Sequence, residues 1–471
     1  MQKRISIELY AAAFAALFLL ISFTLNLFGK LSYTFTAINS VLFIYVAIIW
    51  GYFRQTSSDK KATLLIFLIV LLVLSQFISP DIRSVNDQAR LETMRSLVLN
   101  NTLETGPDIG IDKFIFAGKY YSNKPPVLSF MGAGVYGIIR EVGKLIGKKV
   151  GNPFQVYYWI TLFLITIPSA LAAALFYKIL AFTRLEQLYR FLLSFAFIFG
   201  TLMFSYSGII NNHSVAAVVL LAGFYFLLCT KFYGSMNSAF ASGFFFALAA
   251  TIDLPSILWL ALFGVFLLMN QQIGSYPKLG NCKFLIFYIV GAMLPLIFHL
   301  SFDYQMTGDF IPPFLHKGSM GWPDSPWIGG EKEVWYKYIW NLTLGHYGLF
   351  TYTPIFFFSI AGLILQLKRR TQEFWLESIF VLAGVFILFL FYGVYVREPS
   401  YGGWAYGFRY LVPTITPFLM FFIAPFLEEN KSHVVRILFF MVLYYSVVVA
   451  YIGTSYYFRI MPPPIYFPFP F

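Results

Sequence analysis

The 471-residue chain is 59% hydrophobic and 11% charged, with a mean hydropathy of +0.72; a water-soluble domain carries about twice that charged fraction, so a soluble enzyme is excluded. Its formal charge of +12 comes without any Lys/Arg-rich run interleaved with aromatics, which excludes a nucleic-acid groove. The two cysteines, Cys229 and Cys282, fall at predicted cytoplasmic helix ends and offer neither a disulfide framework nor zinc-ligand spacing.

Apolar stretches of bilayer-crossing length, roughly 17–25 residues each, recur from end to end. They predict spans at Leu9–Phe28, Thr34–Phe53, Ala62–Ser79, Tyr157–Leu180, Phe191–Gly208, Ser214–Thr230 and Ala239–Ile252. Pro255–Met269, Phe284–Phe302, Tyr352–Leu367, Phe374–Tyr395, Tyr410–Leu427 and Val434–Tyr451 complete the series. The first span is too long for a cleavable signal, and no small-residue cleavage site follows it. The expected fold is an all-α polytopic membrane protein with about 13 transmembrane helices. Residues 1–79 hold three of them and residues 80–152 form a first large non-cytoplasmic loop. A transmembrane bundle follows at 153–302, a second large loop at 303–351 and the C-terminal spans at 352–455. An aromatic, proline-rich tail occupies 456–471.

Charge sets the orientation. Lys3, Arg4, Arg54, Lys60, Lys61, Lys178, Arg184, Arg190, Lys231, Lys278, Lys283, Lys368, Arg369, Arg370, Lys431 and Arg436 fall on one set of short connections; the opposite short connections hold little beyond Lys30. This asymmetry puts the N-terminus in the cytoplasm and the long loops outside an inner (plasma) membrane. Loops of such length in a compact protein are functional or disordered, and their Trp, Tyr, Gly and Pro content favours order. A third outer segment runs over 396–409.

Within the first loop, Asn86–Asn100 places Leu91, Met94, Leu97 and Val98 on one helical face, opposite Gln88, Glu92 and Arg95, as a helix lying along the membrane surface does. Pro125–Ile146 reads as a second such segment, apolar enough to be re-entrant or spanning. Lys124 precedes the Pro125–Pro126 pair, a rigid helix start. At that helix N-terminus, where free N–H groups favour an anion, it reads either as a phosphate anchor or as a lysine on lipid headgroups. Asp87 reads either as a general base or as a surface carboxylate pairing Arg90 or sharing a capping box opened by Ser84; Asp81 is its rival. Asn211-Asn212-His213, Asp253, His346 and Arg409 are placed by the topology on the same side as Lys124. Each alone is weak evidence, and His213 alone reads as a structural histidine. The five histidines show no metal-ligand pairing.

Together these motifs resemble the C-type (GT-C) membrane glycosyltransferase superfamily, in its protein O-mannosyltransferase and aminoarabinose-transferase-like prokaryotic branch. The ordered segments are Asp87–Leu91, Tyr120–Pro126, Gly200–Ala217, Gly348–Pro354 and Gly402–Tyr410. The resemblance implies an inverting glycosyltransferase, hexosyl or pentosyl, that moves sugar from a polyprenyl-phosphate donor to a hydroxyl acceptor (protein, lipid or glycan). Asp87 would be the base and Lys124 would hold the donor phosphate, with Arg90 and Arg409 as further phosphate candidates. Asp81, Arg83, Tyr120, Tyr121, His213, Asp253, His346, Tyr352 and Trp404 are candidates to line the substrate cavity. No cofactor is expected and a divalent metal is not favoured, because Gln88 stands where many relatives carry a second acid. Here the chain also shows two spans ahead of the helix that leads into the acidic loop, and a short tail in place of the C-terminal domain of larger relatives. A lipid-linked-sugar flippase or other transporter is the alternative, although no internal repeat or mid-span charge supports it; a non-enzymatic scaffold fits the clustered polar loops poorly.

Overall fold

A computed structural model describes residues 59–79, 82, 84–107, 112–269, 282–312, 316, 332–368 and 373–457. The expected spans Leu9–Phe28 and Thr34–Phe53, the candidates Asp81 and Arg83, and the tail beyond residue 457 lie outside them. Each other expected span falls on helix, Phe191–Gly208 on two pieces, Gln187–Phe199 and Leu202–Tyr206, broken at Gly200 and Thr201.

In chain order the elements are α1 (Asp59–Ser75), α2 (Val85–Asn100), a hairpin of β1 (Lys113–Phe116) and β2 (Lys119–Ser122), α3 (Pro126–Leu145), α4 (Pro153–Leu180), α5 (Gln187–Phe199) and the short α6 (Leu202–Tyr206). There follow α7 (Asn212–Tyr233), α8 (Met236–Ile252), α9 (Leu254–Leu268) and α10 (Cys282–Thr307), then α11 (Trp335–Thr343) and the single turn α12 (Leu349–Tyr352). Last come α13 (Phe356–Lys368), α14 (Trp375–Val396), α15 (Leu411–Glu429) and α16 (His433–Gly453). By length and composition six of these can cross a membrane: α4, α7, α10, α14, α15 and α16. The shorter apolar helices α5, α8, α9 and α13 run among them.

Burial ranks the helices. In α15, 89% of the apolar window is buried, against 28% in α10 and in α16; α15 is the central post and the other two are peripheral. On α10 the large apolar residues left open include Ile286, Phe287, Ile289, Val290, Met293, Leu294, Ile297 and Phe298, a broad lipid-facing side of the helix. Helices approach closely where a side chain is missing. A Cβ on Gly243 of α8 would overlap the Tyr288 carbonyl of α10, and one on Gly291 of α10 would overlap the Phe240 carbonyl of α8. Such glycine contacts let backbones meet inside a membrane, where exclusion from water no longer drives helices together. Prolines 295, 417 and 425 sit inside α10 and α15, tolerated because neighbouring helices enclose the freed backbone groups.

At one end of the bundle lies the layer formed by residues 84–107 and 112–152. The amphipathic reading of α2 holds on its apolar side, since Leu91 and Met94 are fully buried, while Arg95 and Glu92 pair at the surface 3.4 Å apart. The hairpin between α2 and α3 was not foreseen. Its two-residue turn, Ala117–Gly118, has φ of +49° and +78°, the left-handed pair that matches the twist of an antiparallel ribbon.

Buried charge also appears at the far end of α7. Lys231, which the sequence places among the basic residues of the short inner connections, is 3% exposed. Its ammonium lies 2.5 Å from Glu377 Oε1 and donates to the Glu373 carbonyl at 2.6 Å, with the rings of Phe232 and Phe374 5.4 and 5.2 Å away. It ties α7 to the first turn of α14.

Candidate functional site

The site end is built on the start of α2. Ser84 caps that helix, its Oγ accepting from the Asp87 N–H at 3.2 Å while its hydroxyl donates to Asp87 Oδ1 at 2.7 Å. From α4 the Tyr157 hydroxyl donates to Asp87 Oδ2 at 2.9 Å and accepts from the Ile210 N–H at 3.3 Å. Asp87 is fully buried with both carboxylate oxygens engaged. The capping reading of Ser84 and Asp87 is therefore realised, with a tether to α4 added.

One turn later Arg90, 1% exposed, donates from Nη1 to Asn86 Oδ1 at 3.1 Å and from Nη2 to Asn212 Oδ1, at the start of α7, at 2.8 Å. Its buried Nε has no hydrogen-bond partner among the described residues. Burial pulls the guanidinium down to about 10, against the raising influence of Asp112 and Asp87.

The hairpin supplies the next two groups. Pairing of Lys113 with Ser122 and of Phe116 with Lys119 brings residue 112 opposite residues 123 and 124, and the Asn123 N–H donates to the Asp112 carbonyl at 3.2 Å. Across this base, Lys124 Nζ lies 3.0 Å from Asp112 Oδ1. The carboxylate's other oxygen, Oδ2, is buried without a hydrogen-bond partner among the described residues, as is Asn123 Oδ1. The Lys124 side chain keeps 22% of its surface exposed against 7% for Asp112. Desolvation lowers the Lys124 ammonium below the usual lysine range; Asp112 opposes this, while Arg90 and Arg409 reinforce it.

Arg409 arrives from the loop between α14 and α15. There Tyr401, Gly402, Gly403 and Trp404 all take positive φ, at +47°, +85°, +81° and +57°. A Cβ on Gly403 would stand 3.0 Å from Arg409 Nη2 and one on Gly402 3.6 Å from its Cγ, so these glycines clear the space the guanidinium occupies. The loop is pinned from both sides. Tyr206 donates to the Tyr406 carbonyl and Tyr406 to the Val449 carbonyl of α16, at 2.8 and 2.7 Å. Tyr401 is sandwiched between Tyr338 and Tyr347, with ring centroids at 4.5 and 4.3 Å.

The start of α7 and the end of α8 complete the cluster through His213 Nδ1 and Asp253 Oδ2, 3.0 Å apart and both buried. The fields of Arg90, Arg409 and Asp253 all reach His213, those of Arg409 and Arg90 reach Lys124, and Asp112 acts on both Arg90 and Tyr410. Thus Asp87, Arg90, Lys124, His213, Asp253 and Arg409, picked from five separate sequence segments, share one electrostatic neighbourhood.

Other candidates lie apart from it. Tyr121 is buried in an aromatic patch with Phe114, Phe302 and Met306, and Tyr120 has the Lys113 ammonium 5.5 Å from its ring. Tyr352 packs edge-on to Tyr406 in the core, and His346 lies against Tyr347. Trp404 is 53% exposed on a loop that is otherwise mostly buried. A cleft lined by Leu202, Tyr347, Leu349, Thr353, Phe408 and Leu411 carries no charged group. Among the described residues no three His, Cys, Asp or Glu side chains converge as a metal-ligand set.

Sequence reasoning missed Asp112, Tyr157 and the part played by Asn212. The signal for Asp112 was available: two four-residue strands flanking an Ala-Gly turn, which bring together residues twelve apart.

No family model matches the chain, and no curated protein does. Among solved structures, the fold is similar to the oligosaccharyltransferase of Archaeoglobus fulgidus in its apo form, at 12% identity and a TM-score of 0.46 over 87% of this chain and 61% of that one. A second similarity is to ArnT from Cupriavidus metallidurans bound to undecaprenyl phosphate, at 12% identity and a TM-score of 0.46 over 83% of this chain and 75% of that one. The chain thus spans about three fifths of the archaeal protein's length.

Proposed function

We propose that this integral membrane protein is an inverting glycosyltransferase that moves a hexosyl or pentosyl group from a polyprenyl phosphate to an acceptor hydroxyl. Transfer takes place at the end of the bundle carrying Lys124, on the non-cytoplasmic side of the plasma membrane. The observation that carries this reading is the gathering of Arg90, Lys124 and Arg409, from the surface helix, the hairpin and the α14–α15 loop, beside the ends of α7 and α8. The three cations disfavour one another's charge while Asp112, Asp87 and Asp253 oppose that effect, and the partly open Lys124 is the member to which an incoming anion can bind. A lipid phosphate is an anion that reaches a site at the membrane surface, and a lipid donor explains why the catalyst is embedded. The ordered motifs from Asp87 to Tyr410 resemble those of the C-type superfamily and support the same reading.

In this reaction the acceptor oxygen attacks the anomeric carbon from the face opposite the phosphate. As the anomeric C–O bond breaks, its electron pair stays on the phosphate, and cations fixed beforehand at that position lower the barrier without reorganising. A divalent ion is not favoured for this step, so chelators are expected to leave the rate unchanged. The rival reading is a flippase for the same lipid. The two separate in one assay with the full chain in lipid nanodiscs or vesicles and radiolabelled polyprenyl-phosphate hexoses and pentoses. A transferase moves label onto a hydroxyl acceptor and liberates polyprenyl phosphate. Label that stays on the lipid and only changes leaflet would establish the flippase instead.

A further inference from the structure

Resting on that reading, we propose that Asp112, rather than Asp87, takes the proton from the acceptor hydroxyl, and that the donor phosphate frees it for this task by drawing Lys124 away.

The geometry separates the two carboxylates. Asp87 is sealed from solvent, one oxygen on Ser84 and the other on Tyr157. To turn toward a substrate proton it would have to give up the Ser84 hydroxyl or its link to α4, so it acts as a positioning residue for the turn that carries Arg90. Asp112 is held by one oxygen only. Its Oδ1 faces Lys124 at 3.0 Å, and its Oδ2 is buried with no partner among the described residues. A bare buried carboxylate oxygen is costly unless something comes to meet it, and an acceptor hydroxyl is a donor of the right kind. An open oxygen alone would not suffice, because Glu377 Oε2 is also unpartnered. That group belongs to a closed pair, with Lys231 at 3% and Glu377 at 0% side-chain exposure, whereas Lys124 at 22% is open to a ligand.

The exchange follows from charge. A lysine between a carboxylate and a phosphodiester, each with one negative charge, divides its charge-assisted hydrogen bonds between them, and the phosphate's share grows as its second charge develops in the transfer. When the lipid phosphate takes Lys124, Asp112 loses its nearest cation and its affinity for a proton rises. The carboxylate then removes the hydroxyl proton as the acceptor oxygen bonds to the anomeric carbon. The bond from that carbon to the phosphate oxygen breaks, and polyprenyl phosphate leaves with the electron pair and one more negative charge, matched by Lys124, Arg90 and Arg409. Donor binding therefore precedes activation of the acceptor, and an empty site holds no exposed base.

The experiment uses the full chain in nanodiscs with two readouts: transfer from radiolabelled polyprenyl-phosphate sugar, and binding of unlabelled undecaprenyl phosphate. Asp112→Asn is expected to lower transfer by about 10²–10⁴-fold, the span general base catalysis supplies, while undecaprenyl phosphate binds at least as tightly, its competitor for Lys124 being gone. Asp112→Glu, which keeps the ion pair and guards against a folding defect, shifts the acidic limb of the transfer pH profile, and Asp87→Glu leaves that limb in place. Transfer by Asp112→Asn within threefold of the wild type would overturn the assignment. So would parallel loss of lipid binding and transfer, or an acidic limb that follows Asp87→Glu. A wild-type protein that binds no undecaprenyl phosphate removes the transferase reading itself, a result separate from any difference between the two aspartates.

Discussion

Two lysines, each beside a buried acid, show how one pair of residue types serves two ends. Lys231 at the far end of α7 is closed: it has a carboxylate, a backbone carbonyl and two aromatic rings, and almost none of it is exposed. Lys124 has one carboxylate, keeps part of its surface open, and shares its surroundings with two arginines that repel it. The first arrangement costs desolvation once and holds two helices together. The second leaves charge that a ligand can complete, and that difference identifies the site better than the presence of an ion pair does.

The largest test of this contrast is to remove each lysine. Lys231→Met strands Glu377 in an apolar interior and is expected to lower stability by about 3–5 kcal/mol, seen as a depressed melting temperature in detergent. Adding Glu377→Leu should restore most of it. Lys124→Met should instead cost less in stability, because Asp112 can hydrate through the opening and still feels Arg90. Its main effect should be on undecaprenyl phosphate affinity, lower by roughly 10–100-fold, as for one hydrogen bond between charged groups of about 1.5–3 kcal/mol. Equal stability losses for the two lysines would erase the distinction.

A pH titration sharpens it further. The Lys124 ammonium is held below the usual lysine range, and only its protonated form attracts phosphate. Affinity should therefore be full below that lowered value and decline as pH rises through it, at lower pH than for an ordinary lysine of about 10.4. Lys124→Arg, charged throughout, should lose this limb. The smallest effect is expected from Gly403→Ala. A side chain at φ +81°, 3.0 Å from Arg409 Nη2, adds strain of about 1–3 kcal/mol and shifts the guanidinium, so transfer should fall several-fold with lipid binding weakened in step.

Much of this organisation was legible in the residues because its causes are local. Uncharged runs long enough to cross a bilayer fold as helices wherever they stand, and Lys124 before Pro125–Pro126 announces a helix start. Ser84, three residues ahead of Asp87, announces a cap. What could not be read depends on distant segments meeting. Asp112 matters because a hairpin with its turn at Ala117–Gly118 brings it to Lys124. Asp87 turns inward because Tyr157, seventy residues on, claims its second oxygen. Lys231 reads only as one of the basic residues of the short inner connections, since nothing near it in sequence discloses Glu377.

The two links that reach from α2 into the spanning helices, Asp87 to Tyr157 of α4 and Arg90 to Asn212 of α7, set the height at which the first loop rides above the bundle. In a thinner or thicker bilayer the headgroup plane moves while the protein tilts or the lipid adapts, at a fraction of a kcal/mol per ångström. On the proposed function the phosphate-binding cluster stays at a fixed level relative to α4 and α7, and the lipid has to find it there. Membrane thickness thereby becomes a determinant of substrate delivery, set by two hydrogen bonds of 2.9 and 2.8 Å.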